Sequence, residues 1–181
     1  MGGAGTLGLA FVDGAADAAT AGAVHRVAAA ADGRWRLVSA SLDPARAHLA
    51  GALGIGWTRL YPDGDALAAA QAGGLADEPA DLAVFAAFTP SQLPAALRLL
   101  EHGVAVMADM AAPTSAFVHH RLRQAAAAGG AFVLIETTLA GGTAERPGAR
   151  VDRCAAAYGR AADRLARRVP VAEAPARSVR A

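Results

Sequence analysis

Two carboxylates stand where predicted strands end, and carboxylates in such places can transfer protons. Asp109 follows the apolar run Val104–Ala108, and Glu136 follows the apolar run Ala131–Ile135. The carboxyl ends of parallel strands meet at one edge of a sheet, so the two side chains would share a pocket. Carboxylates that share a pocket split their pKa values, which lets one act as an acid and the other as a base. The alternatives are a helix cap or loop residue for Asp109 and a solvated edge residue for Glu136.

Two further residues complete the predicted catalytic set. Asp13 follows the first apolar run, Thr6–Val12, and His25 lies in the next predicted helix, Ala18–Ala31. With the two carboxylates, these groups suit proton transfer, dehydration, cyclisation or decarboxylation without hydride transfer. His25 also has a structural alternative, because packing and hydrogen bonding beside the cleft explain a histidine there without catalysis.

The loop after the first apolar run fits a dinucleotide site only in part. Such a site needs glycines that let the backbone approach a pyrophosphate at a helix N-terminus. Gly14 and Gly22 stand in matching places. Asp13 and Asp17 would lie beside the phosphates and oppose binding by about 1 kcal/mol or more each. We therefore expect no bound NAD or NADP, and a loop in which Asp17 caps a helix.

The end of the second predicted strand, Trp35–Ser41, carries one more candidate for cofactor binding. Asp43 lies just beyond it, where an acidic residue can bind an adenosine ribose. Asp43 also precedes Pro44, and aspartate followed by proline is typical of a helix start. We favour the helix cap, with a helix that runs to about Leu53.

Residue spacing predicts no bound metal. The single Cys154 argues against a disulfide and a cysteine-based zinc site, and its small apolar neighbours favour packing. His119 and His120 are adjacent in a predicted helix, so they project about 100° apart and do not form an i, i+4 pair. His48 and His102 are predicted to lie on helix surfaces.

Apolar runs alternate with alanine-rich helical segments, which is typical of a parallel sheet covered by helices on both faces. We predict an α/β fold with a single doubly wound parallel sheet of about six strands. The predicted strands are Thr6–Val12, Trp35–Ser41, Trp57–Tyr61, Asp81–Phe88, Val104–Ala108 and Ala131–Ile135. The predicted helices are Ala18–Ala31, Asp43–Leu53, a helix capped by Asp63 or Asp65 that ends at Ala72, Ser91–His102, Thr114–Ala128 and Val151–Val169.

The last predicted helix carries an apolar stripe at helical spacing. The stripe consists of Val151, Cys154, Tyr158, Ala162, Leu165 and Val169. We predict three segments: the sheet domain over residues 1–142, a loop and helix over 143–169, and a disordered tail over 170–181. The helix is expected to pack on the sheet domain or on a partner.

Composition excludes several classes of protein. The net charge of +1 over 181 residues argues against nucleic acid and anionic membranes as partners. No apolar run is long enough to span a membrane, and the first residues lack the pattern of a signal peptide. We therefore expect a soluble, cytoplasmic protein. All 17 basic residues are arginine, so the chain contains no lysine.

Three motifs resemble one family of oxidoreductases. Residues 22–26 read Gly-Ala-Val-His-Arg, residues 89–93 read Thr-Pro-Ser-Gln-Leu, and residues 103–113 form an apolar strand that ends at a proline. Read in order, residues 7–139 resemble the nucleotide-binding half of the Gfo/Idh/MocA oxidoreductases. The resemblance implies a Rossmann-like domain, a place for Thr89 and Pro90 beside the nucleotide, and a missing second domain.

The resemblance also implies the loss of an activity. Family members carry an active-site lysine directly after the position of Asp109, and this chain has Met110 there. Methionine has neither a charge nor a proton to give. We therefore expect no dehydrogenase activity.

Two functions follow as hypotheses. The first is a small biosynthetic enzyme that works without a cofactor on a small molecule at the carboxyl edge of the sheet. The second is a non-catalytic subunit that binds or stabilises a partner. A weaker third hypothesis retains NAD or NADP binding through Gly14 and Gly22.

The end of the sheet predicts association with another chain. Residues 131–135 would form an apolar strand near the edge of the sheet, and exposed strand edges pair readily. Residues 1–140 hold 8 Arg against 12 Asp and Glu, whereas the remainder holds 9 Arg against 4. We predict a homodimer or heteromer in which residues 131–169 supply much of the contact, unless the last helix folds back over its own sheet.

Overall fold

The computed structural model describes residues 6–12, 21–44, 50–110, 115–136 and 147–167. The strands are β1 Leu7–Val12, β2 Trp35–Ser41, β3 Leu60–Tyr61, β4 Leu82–Phe88, β5 Ala105–Met110 and β6 Val133–Glu136. The helices are α1 Ala21–Asp32, α2 Ala50–Leu53, α3 Gly64–Ala72, α4 Leu93–Glu101, α5 Ala116–Ala128 and α6 Pro147–Ala166.

The six strands form one parallel sheet in the order β3-β2-β1-β4-β5-β6. From β1 the sheet continues through β2 to β3 on one side, and from β4 it continues through β5 to β6 on the other. A topological switch point therefore lies between β1 and β4, and ligands of open α/β sheets bind beside such points. The predicted α/β fold with a doubly wound parallel sheet is confirmed.

Helices cover both faces of the sheet, each over its own apolar cluster. On one face lie α3, α4 and α5, which bury Leu67, Leu99 and Leu122 against the strands. On the other face lie α1 and α6, which bury Ala28 and Tyr158. We refer to these as the three-helix face and the two-helix face.

The helix starts follow the expected capping chemistry where the structure describes them. Asp63, one of the two predicted caps of α3, accepts a hydrogen bond from the Ala66 amide at 2.7 Å. Ser115 caps α5 through the Val118 amide at 3.4 Å. Both side chains satisfy amides that have no partner within the helix.

The segment Trp57–Tyr61 differs from the prediction of one strand. Residues Trp57–Arg59 form a 3-10 turn, and only Leu60–Tyr61 extend as β3. Trp57 is 67% exposed. Aromatic and β-branched residues favoured a strand, but β2 offers partners at only two positions, Ala40 and Ser41.

Several boundaries also differ from the sequence prediction. β5 continues beyond Ala108 to Met110, so Asp109 belongs to the strand rather than to a loop. α4 begins at Leu93, after a 3-10 turn, rather than at Ser91. Of the predicted helix Asp43–Leu53, α2 is helical, and residues 45–49 lie outside the described residues.

The last helix begins earlier than predicted and folds back on its own domain. α6 starts at Pro147, inside the predicted loop, because proline is well suited to the first turn of a helix. Its stripe is buried on the two-helix face, with Cys154 at 2%, Tyr158 at 0% and Leu165 at 8% exposure. Of the two arrangements that the sequence left open, the structure therefore has the fold-back. Val169 and the predicted tail lie outside the described residues.

Within the described part of the chain, no helix is both long and apolar enough to cross a membrane.

Candidate functional site

Asp109, the predicted acid or base at the end of β5, forms a buried hydrogen-bonded pair with His25 of α1. The His25 Nε2 and Asp109 Oδ2 atoms are 3.0 Å apart. Both residues are 0% exposed. Asp109 lies on the two-helix face because side chains alternate along a strand. The structure thus brings together two of the four predicted catalytic residues, in contact with each other and away from solvent.

Tyr158 of α6 extends this pair into a chain of three polar side chains. Its hydroxyl oxygen lies 3.3 Å from Nδ1 of His25. Burial raises the pKa of Tyr158 well above its usual value, and the neighbouring Cys154 and Asp109 raise it further. The phenol therefore stays protonated, and whether it donates to or accepts from His25 depends on the imidazole tautomer.

Cys154, one helical turn before Tyr158, completes the cluster. The ligand atoms of His25, Asp109 and Cys154 all lie within 4.8 Å of one another. Cys154 is buried, as its predicted packing role requires. Its neighbours were not predicted, because they come from α1 and β5, which lie far from α6 in the sequence.

Tyr158 and Cys154 were missed as site residues for the same reason. The sequence placed both on the apolar stripe of α6, which is correct, but the stripe alone does not say what it faces. The i, i+4 spacing of a cysteine and a tyrosine is a weak sign of a polar cluster, since both residues also occur in apolar cores.

The structure describes the other predicted site residues only in part. Asp13 and Gly14 fall in the undescribed segment 13–20, and Gly22 is a buried residue in the first turn of α1. Glu136 ends β6, where its Cα is the register partner of Asp109.

Three predicted cofactor-binding residues are exposed at the carboxyl edge of the sheet. Asp43 follows β2, and Thr89 and Pro90 follow β4. The Thr89 amide donates to Oε1 of Gln92 at 2.8 Å, which closes a capping box before α4. This turn adjoins the switch point, because β4 pairs with β1.

Met110 takes the position of the expected lysine and points away from Asp109. It is 1% exposed and packs in the apolar cluster of the three-helix face. A lysine there would place its charge among apolar side chains. Met110 therefore offers no charge and no proton at this position.

Solved structures show what this arrangement is similar to. The structure of an oxidoreductase from Sinorhizobium meliloti superposes with a TM-score of 0.62 at 25% identity, covering 73% of this chain and 37% of that chain. Structures of an inositol dehydrogenase homolog from Azotobacter vinelandii, one with NAD+ and one with NADH and myo-inositol, give the same score, identity and coverage of this chain. They are covered over 34% and 35% of their length.

The resemblance to Gfo/Idh/MocA-type oxidoreductases is confirmed. This chain spans about a third of the length of those solved structures, as the N-terminal Rossmann domain alone would. No family model and no curated protein matches the sequence. The resemblance thus rests on the three-dimensional fold and on the motifs described above.

Proposed function

We propose that this chain is a redox-inactive, oxidoreductase-like domain that acts by binding rather than by hydride transfer. The observation that carries the proposal is the burial of Met110 at the position of the family's lysine. A lysine in the family lies between cofactor and substrate, whereas Met110 lies inside the apolar cluster of the three-helix face. No other described residue from β5 offers a charged group to a cofactor cleft, since Asp109 is buried against His25.

The pairing of Asp109 with His25 supports binding over catalysis. A catalytic base must come within hydrogen-bond distance of the proton that it removes. Asp109 and His25 are both fully buried and both engaged in the chain that ends at Tyr158. The hydrogen bonds between these side chains connect α1, β5 and α6, and they therefore stabilise the fold.

The exposed carboxyl edge is the surface where we expect a ligand. Asp43 and Thr89 lie there, on either side of β1 in the sheet order. A small molecule or a partner segment with hydrogen-bonding groups suits these side chains. NAD or NADP is the weaker candidate, because the sequence puts Asp13 and Asp17 in the loop after β1, where their charges would oppose those of its phosphates.

A second candidate function is a cofactor-independent enzyme that transfers protons. The observation in its favour is the Asp109–His25–Tyr158 chain itself, in which a carboxylate and a phenol contact the two nitrogens of one imidazole. In a chain of this kind an imidazole that meets a substrate accepts or donates the proton, and the carboxylate orients the imidazole and stabilises its protonated form. Its test is a pair of variants, Asp109→Asn and Glu136→Gln. A fall of about 100-fold in turnover of an identified substrate supports the enzyme, and unchanged turnover in both variants excludes it.

The proposed binding function is tested first by native mass spectrometry of freshly purified protein, which detects a bound small molecule or partner. Calorimetric titration then measures the affinity for NAD(H) and NADP(H). We expect no dehydrogenase activity and no low-micromolar affinity for either nucleotide. A full-length inositol dehydrogenase titrated under the same conditions serves as the positive control. Reduction of NAD+ by a polyol or sugar in the presence of this chain contradicts the proposal.

A further inference from the structure

Three side chains with metal-binding atoms meet in the core although they come from different elements. His25 belongs to α1, Asp109 to β5 and Cys154 to α6. Their ligand atoms all lie within 4.8 Å of one another, and the exposure of the three residues is 0%, 0% and 2%. The apolar interior around them makes this cluster unusual, because a carboxylate and an imidazole are costly to bury without partners.

The donor set indicates the class of ion. An imidazole nitrogen, a carboxylate oxygen and a thiolate sulfur are together the ligands that Zn²⁺ takes in proteins. Sulfur disfavours Mg²⁺ and Ca²⁺, which prefer oxygen. We propose that His25, Asp109 and Cys154 form a buried structural site for Zn²⁺ or a similar divalent transition-metal ion.

The charges in the cluster also favour a divalent cation. A carboxylate and a thiolate together carry two negative charges, and a neutral imidazole adds none. One divalent cation balances them, so the loaded site is neutral inside an apolar layer. Binding releases the thiol proton of Cys154 to solvent, because the thiolate is the form that binds metal.

Tyr158 is placed to orient the histidine. A histidine that binds a metal through one nitrogen usually donates a hydrogen bond from the other nitrogen. Nε2 of His25 faces Asp109, and Nδ1 faces the Tyr158 hydroxyl at 3.3 Å. With Nε2 on the ion, the Nδ1–H group donates to the Tyr158 oxygen, which fixes the imidazole ring.

The distances require only small movements. Ligand bonds of about 2.0–2.3 Å in tetrahedral geometry place ligand atoms about 3.3–3.7 Å apart. The Nε2–Oδ2 separation of 3.0 Å is already close to this range. The Cys154 sulfur lies within 4.8 Å of the other two ligand atoms, so it has to approach them by up to about 1.5 Å.

Metal content and spectroscopy of the wild-type protein give the first test, which does not depend on any variant. Protein freed of its affinity tag is expected to retain about one zinc per chain after dialysis. Replacement with Co²⁺ should give the near-ultraviolet charge-transfer band of thiolate ligation, because Cys154 is the only cysteine. Absence of zinc after growth and refolding with Zn²⁺, or a cobalt complex without the thiolate band, overturns the proposal.

Variants give the second test. Cys154→Ser and Asp109→Asn keep the approximate shape of the side chains and are expected to abolish zinc retention. His120→Gln, an exposed histidine of α5, is the matched control and should bind zinc as the wild type does. Saturating Zn²⁺ should raise the melting temperature of the wild type and the control by about 5–10 °C.

Zn²⁺ should not raise the melting temperature of Cys154→Ser. Circular dichroism is used to show that this variant is folded. Equal zinc retention by Cys154→Ser and the wild type contradicts the site. If Cys154→Ser does not fold, the cobalt band of the wild type decides the question. The inference is independent of the proposed binding function, since a structural ion in the core is compatible with a ligand at the carboxyl edge of the sheet. It competes with the second candidate function, because the ion would occupy the Asp109 and His25 groups of that proton chain.

Discussion

Asp109 and Met110 are consecutive residues of β5, and their side chains lie on opposite faces of the sheet. Asp109 contacts His25 on the two-helix face, and Met110 packs in the apolar cluster of the three-helix face. The alternation of side chains along a strand explains this separation.

Restoring the lysine should damage the fold rather than restore activity. Met110→Lys places an ammonium group at a position that is 1% exposed in an apolar cluster. We expect a loss of at least about 3 kcal/mol in the free energy of unfolding, measured by urea denaturation, and no NAD-dependent activity. Met110→Leu keeps the volume and apolar character, so it should cost less than about 1.5 kcal/mol. Equal stability of the lysine variant and the wild type would show that this position reaches solvent.

Removing the Tyr158 hydroxyl should weaken the contact between α1 and α6. In Tyr158→Phe the Nδ1 atom of His25 loses its buried partner. We expect a loss of about 1–2 kcal/mol in the free energy of unfolding. Tyr61→Phe is the control, because Tyr61 is partly exposed at the edge strand β3, and it should change stability by no more than about 0.5 kcal/mol. Similar losses in both variants would argue against a hydrogen bond at Tyr158.

Gly129, at the end of α5, should not tolerate a side chain. A Cβ atom there would lie 1.8 Å from the Leu100 carbonyl oxygen, which is backbone at the end of α4. Gly129→Ala should therefore cost at least about 2 kcal/mol, measured as a lower urea midpoint. Gly148→Ala, in α6, meets nothing within 4 Å and should be neutral or stabilise by up to about 1 kcal/mol. A neutral Gly129→Ala would mean that α4 and α5 pack further apart.

Arg34 should make stability depend on pH in the acid range. Its guanidinium donates to both carboxylate oxygens of Asp32, at 2.9 and 2.8 Å, and to Asp163 of α6 at 2.9 Å. The hydrogen bond from Arg34 is the largest cause that lowers the pKa of Asp32 below its usual 3.8, and burial partly opposes it. The stabilisation is therefore present above pH 3.8 and is lost as the pH falls through the lower pKa of the folded state.

Arg34→Gln is expected to remove this acid dependence. The wild type should lose about 1 kcal/mol more than the variant between neutral pH and pH 3, because the partly exposed pair is screened by solvent. Arg36→Gln, which removes an exposed pair with Glu78, controls for the loss of one positive charge. Parallel pH profiles of the wild type and Arg34→Gln would contradict the assignment.

Association between copies should use β6 rather than α6. β6 lies at the edge of the sheet, whereas the stripe of α6 is buried on its own domain. We expect light scattering at tens of micromolar protein to give two chain masses through pairing of β6 edges. A mass of one chain under those conditions would show that the β6 edge does not pair between copies.

The architecture was predictable because its signals are local. Apolar runs of strand length alternate with helical segments, and capping residues such as Asp63 mark the starts, so the order of elements follows from the sequence. Strand ends are less well defined: β5 continues through Asp109 and Met110, and only the pairing with β4 and β6 reveals it.

The candidate site was predictable only in its parts. Asp109 and His25 were identified, but their contact spans 84 residues and the contact with Tyr158 spans 133. Contacts of such separation leave no periodicity in a single sequence. Trp57 shows the opposite case, where residues of high strand propensity form a turn because the neighbouring strand offers them no partners.

Because α6 packs against α1, the apolar cluster of the two-helix face cannot be completed while the ribosome is still synthesising the middle of the chain. α1 and β1 are complete early, yet the helix that covers them arrives more than a hundred residues later, on the order of ten seconds at usual elongation rates. Until then Phe11, Ala28 and Trp35 lack the apolar surface that α6 contributes to their cluster. The emerging chain is therefore a natural client for chaperones that bind apolar surfaces, and a slow or interrupted synthesis should favour its aggregation.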